Sequence, residues 1–255
     1  MDGGLFVKGS FTLGRVGGVQ IKADLGWVLI LGLVAAGLAN LYFPQAHPGW
    51  TAAIRWMVGS ITALMLLVSV LVHELAHTLA SNRLGMPVTK ISLFIFGGMT
   101  QIESLPEWPS IDLKTALSGP AMTLLLYLSL ILLSNILGYL NVSEIVVMAL
   151  FYGAQINLVL LLLNMVPVFP LDGGRVLRAL IWRFKGDFQS ATKIAAATGN
   201  GFGYILILIG LYLILLREYL FAVWFIFNGW YRSSPKLCVN YLSQNIELTD
   251  LGDLM

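Results

Sequence analysis

Residues 61–80 read Ile61-Thr62-Ala63-Leu64-Met65-Leu66-Leu67-Val68-Ser69-Val70-Leu71-Val72-His73-Glu74-Leu75-Ala76-His77-Thr78-Leu79-Ala80. Three ionisable side chains, His73, Glu74 and His77, interrupt a run that is otherwise apolar or small. The run begins near Ala53 and ends at about Ala80, where Asn82, Gly85 and Pro87 stop it. A helix of that length, at about 1.5 Å per residue, crosses the roughly 30 Å hydrocarbon core of a bilayer. The whole chain has the same character. Of its 255 residues 58% are hydrophobic and 11% charged, against roughly 25% charged in soluble domains. So few charges cannot cover a water-facing surface. The expectation is an all-α polytopic membrane protein.

Working outward, Leu25–Leu41 is a first apolar run. It follows two dozen fairly polar residues and has no small-residue cleavage site after it, so it reads as a retained span. Residues 1–24 read as an extended segment at the membrane surface, and Phe43–Trp50 as a loop. Val88–Ile102 is β-branched at its start and contains Gly97-Gly98. That pattern predicts a β-hairpin turning at the glycines, docked against helices because its backbone cannot face lipid. Glu103–Lys114 reads as a loop, and further spans are predicted at about 115–137, 145–166 and 199–216, with a short sixth at 219–231. Arg175–Lys193 is basic and partly amphipathic. The organisation is thus a surface segment (1–24), a core of about six spans with a small membrane-associated hairpin or sheet (25–231), and a cytoplasmic tail (232–255). Six spans with the N-terminus in the cytoplasm place thirteen of the fifteen Lys and Arg residues inside, leaving Arg55 and Arg217 outside. That is the bias expected of cytoplasmic loops. The net charge of +2 gives no reason to expect a nucleic-acid partner, and the single cysteine, Cys238, excludes an internal disulfide.

The ionisable trio carries the chemistry. Histidines four apart share one helix face, about 5–6 Å apart at Cβ. Both imidazoles can therefore reach one ion at roughly 2.0–2.1 Å, and zinc suits neutral imidazole. Zinc lowers the pKa of bound water towards ~7, and Glu74 between the histidines is placed to take its proton. An ionisable group deep in a span costs about 2.5–3.5 kcal/mol on insertion scales, and a metal offsets several at once. The alternative is a metal-free hydrogen-bonded cluster. A catalytic zinc usually has three protein ligands. The candidate third is Asp172, in Asn164-Met165-Val166-Pro167-Val168-Phe169-Pro170-Leu171-Asp172-Gly173-Gly174, where two prolines unwind the end of the fourth span. The alternative for Asp172 is a cap on the next helix. The third histidine, His47, reads as an ordinary solvated loop residue.

These residues, with Ser118-Gly119-Pro120 and Phe96-Gly97-Gly98, resemble the site-2 protease family of intramembrane metalloproteases from about Gly17 to about Trp230. The resemblance implies one zinc per chain on His73, His77 and Asp172, with Glu74 as general base in peptide hydrolysis within transmembrane segments. It implies that Asn164 binds substrate or steadies the transition state, and that the hairpin before Gly97-Gly98 pairs with an extended substrate strand. The implied partners are the lipid bilayer and single-span membrane proteins, such as membrane-tethered transcription regulators. Helix length, at about 1.5 Å per residue from Ala53 to His73, puts the histidines towards the cytoplasmic end of their span. Asp172 ends a span running in the same sense, so the active site is expected to lie towards the cytoplasm. The rival reading is a non-enzymatic zinc transporter or metal-binding membrane protein, which has no need of Glu74. Thr123 departs from the family pattern, which often has Asn there. No PDZ-like insertion separates the spans. The tail 246–255 resembles the first residues of a CBS domain, which would bring a nucleotide partner; the alternative is a disordered tail.

Overall fold

The computed structural model describes residues 11–16, 19–94, 97–102, 105–169, 171–215, 226 and 229. The predicted sixth span apart from residues 226 and 229, the tail 232–255, Phe96 and residues 1–10 lie outside the described residues. The chain divides into two compact units, Met1–Glu103 with Ser118–Leu162, and Ser104–Leu117 with Leu163–Met255. Five of the described helices are long and apolar enough to cross a membrane: Gly26–Ala46, Ala52–Arg83, Pro109–Tyr139, Glu144–Asn164 and Phe188–Leu215.

The first unit is built on β1 (Phe11–Val16), β2 (Val19–Ala23), α1 (Gly26–Gly37), a π-helical turn (Leu38–Tyr42) continuing into α2 (Phe43–Ala46), α3 (Ala52–Arg83), β3 (Val88–Phe94) and β4 (Gly97–Ile102). It also holds most of α4 (Pro109–Tyr139) and of α5 (Glu144–Asn164). The predicted loop from Phe43 is therefore helical to Ala46, because Pro44 stands in the first turn of α2, where a missing N–H costs nothing. Thr51 caps α3, its side chain accepting from Ile54 N at 3.4 Å. At the other end Gly85 takes a left-handed φ of +81°, and the Asn82 side chain accepts from Val88 N at 2.9 Å, steering the chain into β3.

The buried face of α3 carries Val58, Gly59, Thr62, Ala63, Ser69, Val70, His73 and His77 at helical spacing, while Leu64, Val68 and Leu79 are exposed. Small and polar residues inside with leucines outside is the arrangement expected where the solvent is lipid. There the apolar side chain gains nothing by hiding, and close backbone packing holds helices together. Gly59 illustrates it, since a Cβ there would stand 3.0 Å from Ala35 O of α1.

The four strands form one sheet in the order β1-β2-β3-β4, antiparallel at both edges and parallel between β2 and β3. The predicted hairpin is present and belongs to a larger sheet that recruits residues 11–16 and 19–23. The Gly-Gly pair, however, does not form the turn. Phe94 pairs with Gly97 and Leu93 with Gly98, so both glycines are strand residues at the start of β4. A β-bulge at Val88–Lys90 inserts one residue into β3 and brings Val88 and Ile91 to the same face. With Val19, Ile21, Trp27 and Val70 they form a core against the stretch of α3 just before His73.

In the second unit α4 begins at Pro109, six residues before the predicted Thr115. Proline at a first helical position is favourable, and the polar residues read as a loop supply the first turns. α6 (Asp172–Lys185) ends on Gly186 at φ +73°, and α7 (Phe188–Leu215) starts eleven residues earlier than predicted. Asp187 makes that start possible. Its carboxylate accepts from Gln189 N at 3.2 Å and Ser190 N at 2.8 Å. A hydrogen bond from the Ser190 side chain, and next the one from its backbone N–H, hold the Asp187 carboxyl below the usual carboxylate range. A depressed folded pKa stabilises above the unfolded value of ~3.9 and stops doing so as pH falls through the folded one. Amide exchange at Gln189 and Ser190 should therefore stay slow above pH ~4 and speed up only in more acidic buffer; rates indifferent to pH after correction for intrinsic exchange would contradict the cap.

Candidate metal centre

The site begins with α3. His73 and His77 are each 4% exposed and Glu74 8%. The two imidazoles meet at 4.7 Å between centroids, with their Nε2 atoms 3.1 Å apart. The Thr123 hydroxyl of α4 donates to Gly119 O at 3.1 Å. Its one proton is thereby committed, so at 2.8 Å Thr123 Oγ1 accepts from His73 Nδ1–H. In a neutral ring this puts the lone pair on Nε2, the nitrogen that faces His77. Ser118 Oγ stands 3.2 Å from His77 Nδ1, within hydrogen-bond distance. Two imidazole nitrogens facing each other at this distance repel unless a cation or a proton lies between them. Zn–N bonds of roughly 2.0–2.1 Å reach across such a gap, so the donor pair fits a zinc ion.

Room for an ion comes from Gly119. A Cβ there would strike His77 Nε2 and stand 2.7 Å from His73 Nε2 and Cε1. The Ser118-Gly119-Pro120 motif thus has a local physical meaning. Serine meets one imidazole, glycine leaves space before both, and Pro120 sits within α4, where its missing N–H loosens one helical bond. Thr123→Val should keep the fold and release His73 from its oriented tautomer. The expected loss is about 10–100-fold in zinc affinity, as for other partners of metal-binding histidines. Titration against a chelating dye measures it, and affinity equal to wild type would show that the hydroxyl orients nothing.

Asp172 belongs to the second unit. It is the first residue of α6, following Leu171 in extended conformation, and is 8% exposed. Leu171 holds the cap position, so Asp172 stands one residue inside the helix and not at the cap position itself. The turn before it folds back onto α6. A Cβ on Gly173 would collide with the carbonyls of Val166 and Met165, and one on Gly174 would stand 2.5 Å from Phe169 N. Asp172 is thus followed by two glycines because the preceding turn lies on the first turn of its own helix. Asn164 is the half-buried last residue of α5. Gly97 and Gly98 lie in β4.

Two residues depart from their sequence reading. His47 is not merely solvated: it is half-buried, stacks on Trp50 at 4.0 Å with an interplanar angle of 8°, and pairs with the Tyr152 hydroxyl at 2.6 Å. Arg178, counted among the cytoplasmic loop charges, is 2% exposed and bonded to Asp112. The signal for it was Asp112, an acid at the edge of an apolar span.

A sheet-braced bundle of membrane-length helices with paired, oriented imidazoles defines the class: a helical integral membrane protein with a candidate zinc centre. Residues 61–209 match peptidase family M50, the site-2 protease family, and the chain belongs to it. It is 35% identical over 90% of its length to sll0528 of Synechocystis sp., provisionally named a zinc metalloprotease. It is 34% identical over 88% of its length to Rip3 of Mycobacterium tuberculosis, provisionally named likewise. It spans 59% and 57% of the lengths of those two relatives. Among solved structures, the site-2 protease from Methanocaldococcus jannaschii superposes with a TM-score of 0.60 at 25% identity, over 88% of this chain and 95% of that one.

Proposed function

We propose that this chain is an intramembrane zinc metalloendopeptidase that cuts single-span membrane proteins within their transmembrane segments. His73, His77 and Asp172, the candidate ligand set among the described side chains, hold one zinc ion. The observation that carries the reading is the pair of Nε2 atoms 3.1 Å apart beside Gly119, with buried Glu74 between the two histidines in sequence. A zinc ion held there supplies Lewis acidity, polarising a carbonyl and making water a competent nucleophile near neutral pH. Glu74 takes the proton of the attacking water and returns it to the leaving amine. Asn164 contacts the substrate or steadies the developing charge. β4 is an edge strand packed beside α3, which supports pairing between an unwound substrate strand and the segment containing Phe96, Gly97 and Gly98. The termini and the active site face the cytoplasm, a reading supported by the Lys and Arg bias. Membrane-tethered transcription regulators are the expected substrates, and a nucleotide is a partner only where a CBS domain follows residue 255.

The test is incubation of the purified chain in detergent with single-span substrates, alongside zinc flux in proteoliposomes. Cleavage that stops on chelation and returns with zinc supports the protease. Zinc flux without cleavage supports the transporter instead.

A further inference from the structure

Arg178 is one of the largest fully buried side chains of the protein, and the zinc chemistry makes no use of it. Burying a guanidinium is costly unless it is paired and hydrogen-bonded. Arg178 Nε donates to Asp112 Oδ2 and Nη2 to Oδ1, both at 2.9 Å, and Asp112 is 0% exposed. Arg175 adds a longer bond to the same carboxylate at 3.4 Å. The guanidinium also lies over two rings, Phe169 at 5.3 Å and Phe188 at 5.0 Å. One side chain of α6 therefore ties together the first turn of α4, the turn that precedes Asp172 and the first residue of α7.

A buried pair of this kind adds little net stability over an apolar pair of similar size, but it accepts only one geometry. Phe169 stands three residues before Asp172 and Arg178 six after, so the clamp holds the chain on both sides of that carboxylate. Gly174 and Gly199 let the Phe169 backbone approach α6 and α7, since a Cβ would stand 2.5 Å from Phe169 N at Gly174 and 3.1 Å from Phe169 O at Gly199.

We propose that Arg178, bound to Asp112, is a positioning residue that sets the Asp172 carboxylate for metal binding. This rests on Asp172 being the third zinc ligand. Bidentate geometry and ring stacking belong to the guanidinium, so Arg178→Lys keeps the charge and loses the clamp. The double variant Asp112→Leu/Arg178→Met replaces the pair by apolar groups and should unfold near the wild-type temperature.

The experiment measures zinc affinity by competition with a chelating dye, on the full chain in detergent, together with thermal unfolding of the zinc-free protein. Arg178→Lys and the double variant should each lose on the order of tenfold or more in zinc affinity, the double variant doing so at an unchanged unfolding temperature. Asp172→Ala should lose at least as much. Wild-type affinity in the double variant or in Arg178→Lys, with Asp172→Ala impaired, overturns the clamp and leaves the ligand assignment standing. Wild-type affinity in Asp172→Ala removes the ligand assignment and the clamp with it.

Discussion

Glu74→Gln should keep one zinc per chain, keep its fold and lose about 10²–10⁴-fold in peptide hydrolysis, the usual contribution of general acid–base catalysis. The carboxamide has nearly the shape of the carboxylate and is neutral, so burial at this position penalises it less than it would an unpaired carboxylate. It cannot accept the proton that water must give up, nor return one to the leaving amine. His73 and His77 keep their hydroxyl partners Thr123 and Ser118 on α4, neither of which involves residue 74. Metal content by mass spectrometry and cleavage of a single-span substrate measure the two halves of this expectation. Equal cleavage by variant and wild type would remove Glu74 from the mechanism. Zinc lost along with activity would make Glu74 part of the ligand set.

The second large effect is expected at Gly119. Its Cβ would enter the space before both imidazoles, within 2.7 Å of His73 Nε2 and closer still to His77 Nε2. Neither ring swings away freely, because each is held from behind at Nδ1 by a hydroxyl of α4. Gly119→Ala should therefore lose at least ~100-fold in zinc affinity, the upper end of what displaced supporting groups cost, and fall below detectable hydrolysis. Alanine is the better helix former by about 1 kcal/mol, so the zinc-free protein should be no less helical by circular dichroism. Undiminished zinc binding in this variant would show that the ion sits elsewhere.

Much of this was legible in the chain because lipid simplifies the rules. Long apolar runs, their polar interruptions and the side-bias of Lys and Arg suffice for an integral membrane bundle, and histidines four apart on one such run point to a metal. The positions of helix ends were less legible. α7 starts at Phe188 because Asp187 caps it, and α4 starts at Pro109 because proline tolerates a first turn. The stretch before the predicted fifth span reads only as basic and partly amphipathic, and the one before the third as a polar loop. Gly97-Gly98 misleads as a turn because glycine, though depleted in strands, also occurs within them, as it does here at the start of β4. The N-terminal segment reads as extended, but the pairing of β1 with β2 and of β2 with β3 joins distant parts of the chain and no local pattern encodes it. Around the site, Thr123 and Gly119 gain their meaning from α4 lying against α3. Arg178 looked like a loop charge because its partner Asp112 is 66 residues away.

The central claim is that two imidazoles of α3 and the carboxylate of Asp172 share one zinc ion. Zinc K-edge X-ray absorption on the purified chain, compared with Asp172→Ala, tests it most directly. The account predicts two imidazole nitrogens with oxygen donors in the wild type, and an oxygen shell altered in the variant. Absence of zinc from the protein after metal loading, or spectra indistinguishable between the two proteins, would contradict it.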